Sequence, residues 1–335
     1  MQTRTVQTCC VHPSRVELLG TARVVSLPLA TRFRGIDRRE AVLLRGPLGW
    51  TEFSPFVEYP DAEAAAWLAA AIDFGWSAPP AALRATIPVN ATLPAVGPKE
   101  VAVILDRFPG CRTVKVKVAE RGQVLADDVA RVAAARAYLG PEGRIRLDAN
   151  GRWTVDEAQT AIQALARYDL EYVEQPCASV AELADIRSRV AYRGVLIAAD
   201  ESVRKVDDPL AVARAGAADL LVIKAQPLGG IHAALRVVAE AALPVVVSSA
   251  LDTSVGLSMG AFLAAGVPEL EYDCGLGTAA LLAADVTDEP LTPRGGSIPV
   301  RRVDVSETLL TEYAAPPERQ AWWLARLERC HEQLI

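Results

Sequence analysis

Five short β-type segments each end in an ionisable residue at nearly even intervals, and that rhythm constrains this chain more than any other feature. Lys117 is the last charged residue of the alternating run Thr113-Val-Lys-Val-Lys-Val118 and ends its strand. Asp148 closes 145–148, Glu174 closes 170–174, Asp200 closes 195–200 and Lys224 closes 220–224. The steps between them are 31, 26, 26 and 24 residues, each about one strand, one helix and their loops. The intervening stretches carry helical spacing: Leu125, Val129, Val132 and Leu139 recur at steps of 4, 3 and 7, and Ala158–Leu165 and Ile231–Ala239 are amphipathic and Ala-rich. Adding 87–90 in front, and 245–248 and 270–272 behind, gives about eight strands. Repeated βα units imply a parallel sheet, and eight imply closure into a barrel.

The flanks follow another pattern. Segments 16–29 and 41–45 read as strands of an antiparallel sheet and 62–72 as a helix, a smaller α+β cap in front of the barrel. After Asp285 the βα rhythm is lost, and 316–334 reads as a final helix. The expected division is therefore 1–85 capping domain, with 1–14 a disordered tail, then 86–285 barrel, then 286–335 returning to the cap.

Composition narrows the function classes. The chain has 335 residues, 51% hydrophobic and 23% charged, with a formal net charge of −6, which argues against nucleic acid as a partner. The longest uncharged run, Thr253–Pro268, is too short and too broken by Gly for a membrane span. Residues 1–14 lack the layout of a signal peptide, so a cytoplasmic protein is expected. Six Cys without a C-x-x-C pair and three scattered His leave acid–base work to carboxylates and lysines. The lysines are the telling residues. Only five occur, Lys99, Lys115, Lys117, Lys205 and Lys224, against 30 Arg. A Lys retained under such a bias can do what Arg cannot, which is to lose its proton when desolvated.

Taken singly, each strand-end residue has a bland explanation. A Lys-x-Lys strand usually has a solvated face, Asp148 could cap a turn, and Glu174 and Asp200 could be turn residues. Together they are harder to dismiss. In a barrel Val114, Val116 and Val118 face the helices, so Lys115 and Lys117 point into the mouth. Residues ending successive parallel strands gather at the C-terminal rim, where barrel enzymes keep their active sites. Three carboxylates there would repel one another unless a hard divalent cation such as Mg²⁺ joined them.

Lys115-Val-Lys117, Asp148 in Asp-Ala-Asn, Glu174 in Glu-Gln-Pro, Asp200 in Ala-Asp-Glu-Ser and Lys224 in Ile-Lys-Ala-Gln-Pro-Leu-Gly-Gly together resemble the enolase superfamily, muconate-lactonizing subgroup. The segments RFRGI (32–36), GWTEFSPF (49–56) and SSALDTSVGL (248–257) are similar to the subgroup's actinobacterial dehydratases. Asp252 stands where those relatives often carry Glu. The resemblance implies an α/β fold, a modified (β/α)7β TIM-like barrel with an α+β capping domain. It implies Mg²⁺, with Mn²⁺ as a substitute, on Asp148, Glu174 and Asp200. Lys117 would be the base, Lys115 would help to hold its neutral form, and Lys224 would stabilise an enediolate from the opposite side. Ser248 and Gly275 would contact a succinyl arm, and loops 32–35 and 52–56 would close over the site. The implied reaction is syn-dehydration of a small carboxylate, 2-succinyl-6-hydroxy-2,4-cyclohexadiene-1-carboxylate, in menaquinone biosynthesis. The alternative is an N-acylamino acid racemase or dipeptide epimerase using the same lysines and metal. Dipeptide epimerases usually carry an Asp-x-Asp pair after the last strand, where this chain has Asp273-Cys274-Gly275. Oligomeric state is not written visibly in the sequence.

Overall fold

The computed structural model describes residues 12–204 and 208–335, so the expected tail at 1–14 lies almost wholly outside the described residues. The first described element is a helix, α1 (Arg15–Thr21), and this corrects the expected strand at 16–29. Ser14 caps it by accepting from the Glu17 N–H, which stabilises a helical turn before the strand begins. Strand β1 (Arg23–Phe33) follows, then β2 (Ile36–Gly46) and β3 (Gly49–Phe53), forming a three-stranded antiparallel sheet in the order β1-β2-β3. Helix α2 (Asp61–Trp76) packs across it. Gly75 lies so close to the sheet that a Cβ on Gly46 would fall 2.4 Å from its carbonyl oxygen. Leu44, Phe53, Trp67 and Leu68 form the core of this cap.

The chain then enters the barrel in two pieces. Strand β4 (Thr86–Pro88) runs alongside but is not part of the barrel, and β5 (Ala91–Leu93) is its first strand. After α3 (Val101–Leu105) come β6 (Thr113–Lys117), α4 (Leu125–Leu139), β7 (Arg144–Asp148), α5 (Val155–Leu165), β8 (Leu170–Glu174), α6 (Val180–Val190) and β9 (Leu196–Ala199). Two short helices, α7 (Glu201–Arg204) and α8 (Ala211–Arg214), precede β10 (Leu220–Ile223), α9 (Ile231–Ala241), β11 (Val245–Val247) and α10 (Ser254–Gly266). Strands β5 to β11 lie in chain order in one parallel sheet. Helix starts are locally encoded: Thr154 with Glu157 and Ser179 with Glu182 form reciprocal capping boxes for α5 and α6.

The expected eighth strand at 270–272 is not formed. Closure falls instead to two residues farther on. Cys274 bridges Val89, and Gly275 bridges Ser248, both in parallel, so this short segment joins β11 to the entry of β5. Gly275 is required there, since a Cβ would meet the Ser248 hydroxyl oxygen at 2.4 Å. After the barrel, β12 (Ser297–Pro299) pairs antiparallel with β4. Helix α11 (Glu307–Glu312) leads to α12 (Pro317–Glu332), which returns to the cap and sets Trp323 edge-on against Phe53. Among the described residues Cys111, Cys177, Cys274 and Cys330 are free thiols, and no helix is long and apolar enough to cross a membrane.

Candidate active site

Strand alternation decides what enters the barrel mouth. Val114, Val116 and Val118 are buried against the helices, which turns Lys115 and Lys117 inward. Cross-strand register sets Lys117 opposite Asp148 and Asp148 opposite Glu174. Asp200 and Lys224 each follow the last residue of a strand, β9 and β10. All five predicted strand-end residues therefore reach one rim, with Lys117 and Lys224 separated by the three carboxylate-bearing strands. Arg131 of α4 secures the end of β6, donating to the Lys117 carbonyl at 2.9 Å and pairing with Asp128 at 2.8 Å.

The site is a dense ionic cluster. Lys117 Nζ lies 2.5 Å from Asp148 and Lys115 Nζ 3.1 Å from it, while both Glu174 oxygens accept from Lys115 at 2.8 and 2.9 Å. Lys224 donates to Asp200 Oδ2 and Arg204 to Asp200 Oδ1 at 3.0 Å. Asp148, Glu174 and Asp200 are each 1% exposed. Burial alone would raise the Asp148 and Asp200 carboxyls. The cations outweigh it and hold both well below the usual carboxylate range, Lys117 and Lys115 for Asp148, Arg204 and Lys224 for Asp200. Glu174 is pushed up to about 7, by burial first and then by the Asp148 charge.

The two lysines of β6 diverge. Burial opposes the charge on both. Glu174 and Asp148 more than compensate for Lys115, which is raised well above its ordinary value. Lys117 is lowered: burial and the neighbouring Lys115 ammonium outweigh the attraction of Asp148. Lys117 is thus the lysine that sheds its proton more readily, which is what a base requires.

The cap roofs the cluster. Phe33, Arg34, Phe56, Tyr59 and Trp67 line the cavity over it with Ser248, Leu251 and Gly275. The Phe33 ring centroid is 5.6 Å from Lys117 Nζ. The enclosed space is about 40 Å³, room for a few waters. A wider cleft of about 630 Å³ adjoins it past Phe33, Arg34, Lys117 and Asn150. Arg204 and Tyr59 are site residues that sequence reasoning missed. Arg204 carries one faint signal, its i+4 spacing from Asp200.

Whether a divalent cation suits these residues rests on the donor set. As the side chains stand, no three His, Cys, Asp or Glu among the described residues converge on one ion position, since ammonium groups lie against the carboxylates. The donors are nevertheless all carboxylate oxygens on three successive strands. The displaced Glu174 shows that three buried negative charges lie close enough to repel, and hard divalent ions take such oxygen sets.

Comparison with known proteins agrees with this architecture. Residues 24–75 match the family described as enolase N-terminal domain-like, and 99–303 the one described as enolase C-terminal domain-like. An o-succinylbenzoate synthase of Thermobifida fusca (strain YX) is 58% identical over 310 residues, covering 92% of this chain and 95% of that protein. The chain belongs to the o-succinylbenzoate synthase family of the enolase superfamily. Within that family, the o-succinylbenzoate synthase of Mycobacterium tuberculosis (strain ATCC 25618 / H37Rv) is 52% identical over 97% of this chain and 98% of its own length. Among solved structures, the muconate lactonizing enzyme from Pseudomonas putida superposes with a TM-score of 0.74 at 19% identity, covering 88% of this chain and 98% of that one. That match carries the fold. The o-succinylbenzoate synthase relatives span the cap segments as well as the barrel, so the likeness takes in both walls of the cavity.

Proposed function

We propose that this chain catalyses the o-succinylbenzoate synthase reaction, the dehydration of 2-succinyl-6-hydroxy-2,4-cyclohexadiene-1-carboxylate to 2-succinylbenzoate, and so serves menaquinone biosynthesis in the cytoplasm. The observation that carries the reading is the likeness to o-succinylbenzoate synthases at 52–58% identity over nearly the whole chain, in a site where Lys117 and Lys115 lie side by side against the buried carboxylates. Lys117 Nζ takes the proton from the carbon bearing the ring carboxylate, and that C–H electron pair becomes an enediolate. The pair then returns to form the ring double bond as the C–O bond at carbon 6 breaks. Lys117 hands its proton to the departing hydroxyl, giving water. One base on one face does both tasks, so the elimination is syn. Lys115 and Lys224 offset the negative charge that develops, and Ser248 and Gly275 border the space for the succinyl arm.

Asp148, Glu174 and Asp200 would hold Mg²⁺, with Mn²⁺ as a substitute, and the ion when bound supplies positive charge for the enediolate oxygens. The same reading divides the chain into a cap from residues 1–85, a barrel from 86–285 and a returning segment from 286–335. It gives the protein no nucleic-acid partner. Purified protein should convert the cyclohexadiene acid, lose that turnover on exhaustive chelation and regain it with Mg²⁺. Full turnover in the chelated protein would remove the metal from the reading.

A further inference from the structure

Lys117 has a partner that the proposed chemistry leaves unused. Its Nζ donates to Asn150 Oδ1 at 2.8 Å. Asn150 lies two residues past Asp148, in the left-handed region at a φ of +49°, and its side-chain Nδ2 donates to Glu201 Oε1 at 3.1 Å. The same Glu201 oxygen accepts from Arg204 Nη2 at 2.8 Å, and Arg204 Nη1 donates to the Tyr59 hydroxyl at 3.2 Å. Tyr59 belongs to the cap, between β3 and α2, with its ring edge-on to Phe56 at 5.6 Å. One unbroken chain of hydrogen bonds therefore runs from the base to the cap.

The chemistry of each link suits its place. An amide accepts from an ammonium on one side and donates to a carboxylate on the other, which neither Asp nor Ala at position 150 could do. Among the described residues the second Glu201 oxygen is buried without a partner, and the side-chain hydrogen bonds that orient this residue there are those to Asn150 and Arg204. Lysine is a flexible four-carbon stem, and a misplacement of about 1 Å at a reacting group can cost roughly 100-fold in rate. Resting on the reading of Lys117 as the base, we propose that Asn150 is a positioning residue for Lys117. Tyr59, through Arg204 and Glu201, holds Asn150 in place when the cap is seated, so the base is aligned only in the closed site.

The test uses the full chain as Asn150→Gly, Asn150→Asp, Tyr59→Phe and the Asn150→Gly/Tyr59→Phe double variant. Glycine keeps the left-handed backbone without strain. Aspartate also tolerates it and keeps an acceptor for Lys117, but cannot donate to Glu201. Both Asn150 variants should lower kcat by roughly 10- to 100-fold, with KM and Mg²⁺ affinity little changed. Tyr59→Phe should lower kcat about 5-fold, the worth of one hydrogen bond. The double variant should be no slower than Asn150→Gly alone, because both changes break one chain. Multiplying losses in the double variant, or wild-type kcat in Asn150→Gly, would overturn the proposal. Loss of Mg²⁺ affinity in step with kcat would also overturn it, by assigning Asn150 to the ion instead. Wild-type kcat in Lys117→Ala would overturn Lys117 as the base, whereas a slow Lys117→Ala beside an Asn150→Gly of unchanged kcat would overturn the positioning alone.

Discussion

Lys117 owes its chemistry to a buried setting that favours neutrality and to two neighbours, Asp148 pulling it toward the charged form and Lys115 pushing it away. Replacing it tests the balance directly. Lys117→Ala should lower kcat by roughly 10²–10⁴-fold, the usual worth of a general base. Lys117→Arg should be nearly as slow, because guanidinium keeps its proton. Wild-type turnover by the arginine variant, measured on the cyclohexadiene acid, would move the base elsewhere. These strand-end residues were legible in sequence because alternation dictates which side chains of a barrel strand face inward, and because lysine is scarce here. Arg204 was not legible, hidden among thirty arginines. Asn150 stood in a quoted motif, yet its role depends on Glu201, 51 residues away in sequence, and no local pattern predicts that contact.

At the scale of elements, the seam between cap and barrel is held by a buried carboxylate. Glu52 at the end of β3 accepts from the Thr253 N–H and hydroxyl and from the Gly256 N–H, so a cap residue caps the barrel helix α10. Burial, then the nearby Asp252 charge, raise the Glu52 carboxyl from 4.5 to about 7. Between those values the folded protein keeps a proton that the unfolded chain has lost. This stabilising contribution is complete below about pH 4.5 and falls away as pH rises to about 7, by a few kcal/mol in order of magnitude. Relative to Glu52→Gln, wild-type Tm should therefore fall between pH 5 and pH 8, and parallel Tm profiles would refute the shift. Such a seam is invisible to local patterns, which do give the barrel helices and most strands. Two of the element errors share a cause. Helix α1 depends on a single Ser14 cap, and barrel closure depends on Cys274 and Gly275, which pair as isolated bridges with no run of alternating residues to mark them.

For the whole molecule, the substrate choice lies between one chemistry that needs a single base and another that needs two. Racemisation of an N-succinyl amino acid requires a proton donor on each face of the α-carbon, hence both Lys117 and Lys224. The rim provides both, so strand-end residues alone do not separate the chemistries. The surroundings favour dehydration. Asp273, the sole acid of the Asp273-Cys274-Gly275 segment, accepts from the Thr113 hydroxyl at the start of β6. Its carboxylate therefore lies at the opposite end of the barrel from Lys117 and cannot bind the free amino group of a dipeptide there, which sets the epimerase aside. Apolar Phe33, Phe56 and Leu251 border the space above the rim, and Phe33 borders the wider adjoining cleft as well, surfaces that suit a flat ring that becomes aromatic. The expected outcome is a kcat/KM for the cyclohexadiene acid at least about 100-fold above that for N-succinyl amino acids, roughly 2.7 kcal/mol of transition-state discrimination. Equal efficiency on the two classes would show that Lys224 exchanges protons as readily as Lys117. The dehydratase assignment would then give way to a racemase on the same barrel.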